Sequence, residues 1–191
     1  MPTLSAEQQS TLVQAVARGE RRAFEELYAM FFRPLSGYLL RMVRDTGLVE
    51  ELVDDTFFEA WKHAARFRGD SKLSTWLFGI ARNRALNALR ARKPAHQELD
   101  DGVVAFADSA QAPDRQASQR QTAQALTTAL AGLPSDQREA LELVLHQGLR
   151  YEEAAQVLGA PLNTVKTRVF HARRKLREAL ADLQPEGVDA R

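Results

Sequence analysis

The spacing of apolar residues in the last third of the chain restricts the fold more than any other feature. Between residues 162 and 180 an apolar side chain recurs every three or four positions, at Leu162, Val165, Val169, Ala172, Leu176 and Leu180. This spacing predicts an α-helix with one buried face. The opposite face is polar, basic and aromatic, with Asn163, Lys166, Thr167, Phe170, Arg174 and Arg177, and with His171 at its margin. No acidic residue lies between Glu153 and Glu178, so the helix does not neutralise its own cations.

A short turn connects this helix to the one before it. Gly159 predicts the end of a helix over residues 151–158, and Pro161 suits the first turn of the next helix. Small and apolar side chains would let the two helices pack closely, at Ala154, Ala155 and Leu158. Two helices joined in this way form a helix-turn-helix, whose second helix enters the major groove of DNA. The alternative is a surface hairpin whose cations only interact with solvent; Phe170, suited to thymine methyls or sugars, favours DNA.

Helices also account for the first half of the chain. Apolar periodicity predicts four of them, over residues 5–18, 21–43, 48–67 and 74–92. Ser5 is expected to cap the first helix and Gly19 to end it. Pro34 or Gly37 is expected to kink or divide the second helix.

The third and fourth helices complete an all-helical pattern. The third is expected to bury one apolar side, made of Leu52, Val53, Phe57, Ala60, Trp61 and Ala64. Ser74 or Thr75 is expected to cap the fourth. No segment shows the alternation of a convincing strand, so the predicted fold class is all-α.

Residues 93–119 interrupt the helical pattern. Pro94, Gly102 and Pro113, with scattered acids and few apolar residues, predict a linker there. Helices resume over residues 118–131 and 135–146, with Ser135 expected as a cap after a Gly-Leu-Pro break. The sequence therefore predicts two small helical domains with a flexible linker, divided as domain 1–93, linker 94–117, domain 118–184 and tail 185–191. Such a linker would leave the two domains without a fixed mutual orientation.

Charge is distributed in blocks, although the net charge is only +1. Residues 61–93 hold nine cations against the single acid Asp70, whereas residues 48–60 hold five acids and no cation. Such blocks predict separate partners for separate faces. The absence of cysteine excludes disulfides and thiolate metal sites and fits a reducing compartment. No signal peptide is recognisable and no apolar run approaches the roughly 20 residues of a membrane span, so we expect a soluble intracellular protein without stable membrane insertion.

The loop over residues 67–73 joins two helices that are rich in cations and aromatic residues. Cations combined with aromatic rings can hold a phosphate backbone and stack unpaired bases. Asn83 and Asn87 lie one helical turn apart and are suited to base edges or sugars. The alternative is that the aromatic residues belong to the core, namely Trp61, Phe67, Trp76 and Phe78.

Catalytic chemistry finds little support. The histidines, at positions 63, 96, 146 and 171, have no metal-ligand spacing with carboxylates, and no nucleophile is grouped with a base. Glycine-rich phosphate loops are absent from the sequence as well. We therefore expect a protein that is not an enzyme and that needs no metal or cofactor.

Several segments, taken in order, resemble one family. They are Ala23-Phe24-Glu25-Glu26-Leu27-Tyr28, the run LVDDTFFEAW at 52–61, FRG at 67–69 with TWLFGIARN at 75–83, GLP at 132–134, and the helix-turn-helix at 151–176. Together they resemble the extracytoplasmic-function (ECF, group IV) sigma factors, subunits that give bacterial RNA polymerase its promoter specificity. The resemblance covers nearly everything except the linker and the two ends.

The resemblance implies roles for three groups of residues. The acidic helix would bind the clamp helices of the largest polymerase subunit through Glu51, Asp54, Asp55, Phe58 and Glu59, and the flap would be a further polymerase contact. At the −10 element the protein would recognise and melt the DNA and would hold a base flipped out of the strand. The residues implied for this role are Lys62, Arg66, Arg68, Ser71, Lys72, Trp76, Asn83 and Asn87. The −35 element would be bound by base contacts from Lys166, Thr167, Phe170 and His171 and by phosphate contacts from Arg168, Arg173 and Arg174.

Two positions depart from the family pattern. Asp54 stands where members commonly have Gln, and His171 stands where they often have Arg. A neutral imidazole cannot make the bidentate guanine contact of Arg, so the −35 preference is expected to differ.

The resemblance also implies partners and a location. They are core RNA polymerase, promoter DNA and an anti-sigma factor, in the cytoplasm at the nucleoid, or at the inner membrane when the anti-sigma factor is anchored there. Two other interpretations remain at this point: a free-standing regulator that uses only the helix-turn-helix, and an adaptor whose basic faces bind acidic proteins.

Overall fold

The computed structural model describes residues 4–92 and 124–181, and we call these two parts the first and the second module. The first module contains α1 (Ala6–Ala17), α2 (Arg21–Val43), α3 (Thr46–His63), a 3₁₀ turn (Ala64–Arg66) and α4 (Leu73–Arg92). The second contains α5 (124–131), α6 (Ser135–Leu141), a π-helical segment (Glu142–His146), α7 (Tyr151–Leu158) and α8 (Leu162–Leu180). No β-strand occurs within these two ranges, and the predicted all-α fold with two helical domains is confirmed. The predicted linker 94–117, the tail 185–191 and the start of the predicted helix 118–131 lie outside the described residues.

The core of the first module lies where α2, α3 and α4 pack together, with α1 across them. Its largest fully buried side chains include Tyr38, Phe57 and Phe78. The rings of Tyr38 and Phe78 meet edge to face, with their centroids 5.2 Å apart. Each such side chain stabilises the fold by roughly 1.5–3 kcal/mol when it leaves water, so these three anchor the helices that carry the candidate site.

Helix α2 runs without a break through Pro34 and Gly37, so of the two expected effects, a kink or a division, the division does not occur. Proline removes one backbone hydrogen bond and crowds the preceding turn, which costs about 3 kcal/mol in an isolated helix. Phe31 and Leu35, on either side of the proline, are both buried in the core. Their burial supplies a stabilisation of similar size, and the helix therefore continues.

The helix starts agree only in part with the sequence prediction. Ser5 caps α1 as predicted, because its hydroxyl accepts a hydrogen bond from the backbone N–H of Gln8. Helix α4 begins at Leu73, before the predicted caps Ser74 and Thr75, and the side chain of Gln9 in α1 accepts from the Leu73 N–H at 2.8 Å. The free donors of a helix start need an acceptor, and here tertiary packing supplies it from another helix.

The start of α6 also differs from the prediction. Ser135 is the first residue of α6, and Pro134 takes the cap position without a side-chain hydrogen bond, so Ser135 is not the cap. The predicted helix 135–146 widens into a π-helix from Glu142 to His146.

Trp61 was expected in the core and is 49% exposed, so this prediction is wrong. Helix α3 ends at His63 and tightens into the 3₁₀ turn, rather than continuing to residue 67. The buried stripe passes through Phe57, Ala60 and Ala64, and Trp61 lies at its edge beside Phe58. Apolar character alone could not place Trp61, because the width of the stripe depends on which helices cover it.

The second module contains the predicted helix-turn-helix. Helix α7 ends at Gly159, whose φ of +61° is the left-handed conformation that glycine adopts most easily. Helix α8 follows at once and buries Val165, Val169 and Ala172 against the module. The predicted stripe is confirmed at these three positions, whereas Leu162, Leu176 and Leu180 are half-buried.

The two modules touch each other, although the linker was expected to leave them without a fixed orientation. Helix α4 of the first module packs against α7 of the second. Hydrogen bonds and ion pairs also join the modules, for example between Arg82 and Glu139.

The link between Gln9 and the start of α4 is testable. Gln9→Ala removes the acceptor of the Leu73 N–H and should destabilise the protein by about 1 kcal/mol. Chemical denaturation followed by circular dichroism measures this loss. Gln14→Ala on the same helix is the matched control, because Gln14 is exposed and bonds only to nearby Ser10. Equal midpoints for the two variants would show that Gln9 does not support α4.

Candidate nucleic-acid and polymerase interfaces

The outer face of α8 presents an aromatic ring among polar side chains. Phe170 is 62% exposed, although its neighbour Val169 is buried. Lys166 and Thr167 are exposed on the same side of the helix, and His171 is half-buried with its ring edge-on to Phe170 at 5.5 Å. The inward stripe of α8 forces this face outward, because residues half a turn away from a buried position must point to solvent. The four predicted base-contact residues therefore lie together on one surface.

The three arginines predicted to contact phosphates have different surroundings. Arg173 is exposed, and Arg174 is half-exposed near Glu178 at 3.7 Å. Arg168 is only 27% exposed and pairs with Asp136 of α6 at 3.0 Å. Arg168 thus ties α8 to α6, and its predicted phosphate contact would have to compete with this ion pair.

The loop between α3 and α4 presents cations to solvent. Lys62 and Arg66 are exposed just before the loop, and Arg68 extends into solvent beside Asp70 at 3.1 Å. Gly69 has a φ of +77°, which lets the loop turn sharply at this point.

The aromatic residues around the loop divide between the two interpretations that the sequence left open. Phe78 is completely buried and belongs to the core. Phe67 and Trp76 are half-buried against the core, and their ring centroids lie 5.1 Å apart at the base of the loop. These two rings, and not Phe78, remain available for a base.

Helix α4 continues the same surface. Asn83 and Asn87 are both exposed and lie one turn apart, and Ser71 is half-buried at the start of the helix. Lys72 donates to Glu153 of α7 across the module contact at 2.7 Å. Burial is the largest single influence on Glu153 and opposes its ionisation. The hydrogen bonds from Lys72 and from the Arg150 N–H, together with the charges of both residues, outweigh burial, so the pKa of Glu153 lies below its ordinary value. Lys72, a predicted −10 residue, is thus joined to the second module by an ion pair.

The acidic face of α3 divides into two parts. Glu51 and Asp54 are exposed and point away from the fold. Glu59 forms an ion pair with Arg84 of α4 and lies 3.0 Å from Nε2 of His63, and Asp55 lies 4.0 Å from the same arginine. Asp55 and Glu59 therefore help to hold α3 against α4, whereas Glu51 and Asp54 are available to a partner.

An aromatic cleft beside the acidic face was not anticipated from the sequence. It has a volume of about 360 Å³ and lies between α3 and the α1–α2 corner. Phe58, which is 55% exposed, and Trp61 form its rim, with Asp54 next to them. Tyr28 lines the same cleft. Its partial burial, and then the nearby Asp54 carboxylate, raise the pKa of Tyr28, because both disfavour the phenolate.

The sequence did contain a signal for this cleft. Asp54, Phe58 and Trp61 follow each other at steps of four and three residues, which places them on one face of α3. The predicted docking face includes Phe58 but omits Trp61, because the sequence analysis assigns Trp61 to the core.

Metal and membrane chemistry receive no support from the described part of the chain. Within residues 4–92 and 124–181 no group of three His, Asp or Glu side chains is arranged to hold a metal ion. None of the helices described is long and apolar enough to traverse a lipid bilayer.

Comparison with known proteins matches both modules to one family. Residues 27–94 match the family model of sigma-70 region 2, and residues 123–176 match that of sigma-70 region 4. The chain is 34% identical to the RNA polymerase sigma-H factor of Pseudomonas aeruginosa, over 96% of this chain and 99% of the relative. It is 32% identical to the ECF RNA polymerase sigma-E factor of Escherichia coli K12, over 85% and 88%.

Solved structures give the same result. The sigma factor RpoE of Bartonella quintana, determined in complex with the anti-sigma factor NepR, is similar with a TM-score of 0.66 and 29% identity, over 83% of this chain and 96% of that one. CnrH, determined in complex with the cytosolic domain of CnrY, has the same TM-score at 26% identity, over 95% and 100%. Both modules, in this order and with this helix-turn-helix, show that the chain belongs to the ECF sigma factors of RNA polymerase, non-enzymatic factors that direct transcription initiation.

Proposed function

We propose that this sigma factor recognises promoters at two elements, the −35 element through α8 and the −10 element through the surface of α4 and the loop before it, and that it promotes melting at −10. The observation that carries the proposal is the exposure of Phe170 within a polar and basic face, where Lys166 and Thr167 are exposed beside it. Burial does not explain such a ring, and a large apolar side chain among cations suits the edge of a base pair.

The −35 contact follows from the position of α8. A helix-turn-helix inserts its second helix into the major groove, where Lys166, Thr167 and Phe170 would face the base edges. His171, at the margin of this face, would bond one acceptor or donor on a base, because neutral imidazole offers a single donor and a single acceptor. Arg173 and Arg174 would hold the phosphates and position the helix without specifying sequence.

The −10 contact follows from the loop between α3 and α4. Arg66 and Arg68 would attract the single strand, and a base extruded from the duplex would lie against Phe67 and Trp76. Stacking on an aromatic ring contributes about 1–3 kcal/mol per base. This is comparable with the few kcal/mol needed to unstack a base, so capture of a base on these two rings would favour the melted state. Asn83 and Asn87 would contact the neighbouring nucleotides.

Polymerase docking would use Glu51, Asp54 and the cleft lined by Phe58 and Trp61. Exposed carboxylates steer encounter with a basic partner, and aromatic side chains supply most of the energy at the centre of an interface. The combination fits a partner helix that presents arginines beside an apolar residue, which the clamp helices of the largest subunit would provide. Asp55 and Glu59, which are engaged with Arg84, would act from within the fold.

An anti-sigma factor would be a further partner. The RpoE relative was solved in complex with an anti-sigma factor, and an inhibitor that covers the same cleft would exclude polymerase. The protein would then act in the cytoplasm at the nucleoid, or stay at the inner membrane while a membrane-bound inhibitor holds it.

The docking face is tested by charge reversal. Glu51→Arg combined with Asp54→Arg should strongly reduce co-purification with core RNA polymerase, because the reversed charges repel a basic partner. Glu7→Arg combined with Glu26→Arg is the matched control, with the same change in net charge at exposed positions of α1 and α2. Circular dichroism checks that both variants keep their helix content. Undiminished co-purification of the first variant would contradict the assignment of this face.

The −35 contact is tested by run-off transcription with core polymerase on a promoter library. Lys166→Ala and His171→Ala should each change the selected −35 sequence, since a base contact discriminates by roughly 1–3 kcal/mol. Lys175→Ala, exposed on the same helix, should leave the selected sequence unchanged. The same sequence selected by all variants would show that α8 does not contact the bases of the promoter.

A further inference from the structure

The contact between the modules combines apolar packing with three pairs of opposite charges, which we call the interdomain row. The second module contributes Glu139, Glu142 and Glu153, and the first contributes Arg82, Arg41 and Lys72. The N···O distances of the three pairs are 2.8, 3.0 and 2.7 Å respectively. In each of these pairs the carboxylate lies on the second module and the cation on the first. The two modules therefore present surfaces of opposite charge to each other at this contact.

Glu139 is the centre of the row. One of its oxygens accepts from the Tyr38 hydroxyl at 2.8 Å and from Arg82 Nε at 2.8 Å, and the other lies 3.4 Å from Arg82 Nη2. Burial, and then the adjacent carboxylate, raise the pKa of Tyr38 well above its ordinary value, so the hydroxyl keeps the proton that it donates. The side chains of Arg82 and Glu139 are both largely shielded from water. A shielded charge that loses its partner without gaining water is strongly destabilising. The modules must therefore either keep this ion pair or separate far enough for water to reach both Arg82 and Glu139.

Glu142 forms a second contact from the π-helical segment. Its Oε1 accepts from Arg41 Nη1 at 3.0 Å and from the buried amide of Gln147 at 2.8 Å. His146, one π turn later, brings its Nε2 within 3.0 Å of Arg41 Nη2. Short π segments inside helices often occur at functional sites, and this one directs two polar side chains of the second module to a single arginine of the first.

Glu153 links the row to DNA binding. Its carboxylate accepts from Lys72, which is one of the residues proposed to bind the −10 strand. A carboxylate on a lysine occupies the place that a phosphate oxygen would take, since both are anionic acceptors. Phe170 on α8, by contrast, remains exposed while the modules are in contact.

We propose that Glu139, Glu142 and Glu153 close the second module onto the first, and that this closure withholds Lys72 from single-stranded DNA while leaving the −35 face of α8 accessible. The closure itself depends only on the contacts described, whereas its effect on DNA rests on the proposed −10 surface. Polymerase and promoter would then have to replace the three carboxylates as they separate the modules.

The closure is tested by a distance measurement that needs neither polymerase nor DNA. The chain contains no cysteine, so Ala17→Cys and Lys175→Cys, both at exposed positions, accept one spin label on each module. Double electron–electron resonance on the full chain should give one narrow distance distribution. Adding Glu139→Gln, Glu142→Gln and Glu153→Gln should make it broader and longer. A broad distribution without the Gln substitutions, or an unchanged narrow one with them, would overturn the closure.

A charge exchange keeps the test valid if the Gln variant folds poorly. Lys72→Glu alone should broaden the distribution, and Lys72→Glu combined with Glu153→Lys should narrow it again, because the pair is restored with opposite polarity. Circular dichroism establishes the helix content of each variant. Glu153 also accepts from the Arg150 N–H at 2.9 Å, so Arg150→Ala is added to the exchange to remove the repulsion between Arg150 and the new lysine. Failure of both exchange variants, at unchanged helix content, to restore the narrow distribution would show that this pair does not hold the modules together.

The effect on DNA is measured separately, with a fluorescent single-stranded oligothymidine as the probe. Glu153→Gln should bind it several-fold more tightly than the wild type, because Lys72 is released. Glu152→Gln is the matched control, since Glu152 is the adjacent exposed residue of α7 and the change in net charge is the same. Equal affinities of the two variants, together with a confirmed closure, would refute the role of Lys72 and leave the closure standing.

Discussion

The one-sided burial of amphipathic helices determines most of what this protein presents to its surroundings. Once α8 packs Val165, Val169 and Ala172 inward, Phe170 must lie in water among polar side chains. Helix α3 obeys the same constraint, because Phe57 and Ala60 enter the core and Phe58 is turned outward. The exposed faces of these helices are thus the surfaces that core packing leaves uncovered. Core packing does not restrict which residues occupy them. An apolar ring on such a face costs little folding stability and remains available to a partner.

Charge in this chain serves two purposes that the sequence alone does not distinguish. Some carboxylates belong to the fold, such as Glu59, which is paired with Arg84 and His63, and Asp45, which caps α3 and bonds to Arg92 at the end of α4. The N–H of Leu48, followed by Arg92, holds the pKa of Asp45 below its ordinary range, so this cap stays charged into acidic conditions. Others, such as Glu51 and Asp54, extend from the surface. A row of acids on one helix is therefore not a single binding face.

Membership in the ECF sigma factors gives these faces a common purpose. Under the function proposed above, the two modules would present their DNA-contacting surfaces to separate promoter elements. The interdomain row provides the opposite tendency, since it joins the modules through the acids of one and the cations of the other. Contacts of this kind are more sensitive to competing anions than an apolar interface would be, so a polyanionic template is well suited to replace them.

The sequence by itself determined the helical class, the helix-turn-helix with its left-handed Gly159 and the exposed Phe170, because these follow from periodicity and local backbone chemistry. It also indicated the family, through the resemblance of its motifs to those of known members. It also predicted which residues of α8 share its outer face, since the helical period fixes the angle between side chains whatever packs around the helix. Only the tertiary structure decided that Trp61 faces a cleft, that Pro34 stays inside a helix, that Gln9 supports the start of α4, and that Asp55 and Glu59 approach Arg84. It alone showed that Glu139 meets Tyr38 and Arg82. Such contacts join residues far apart in the chain, and their existence depends on how whole helices pack, which no local pattern encodes.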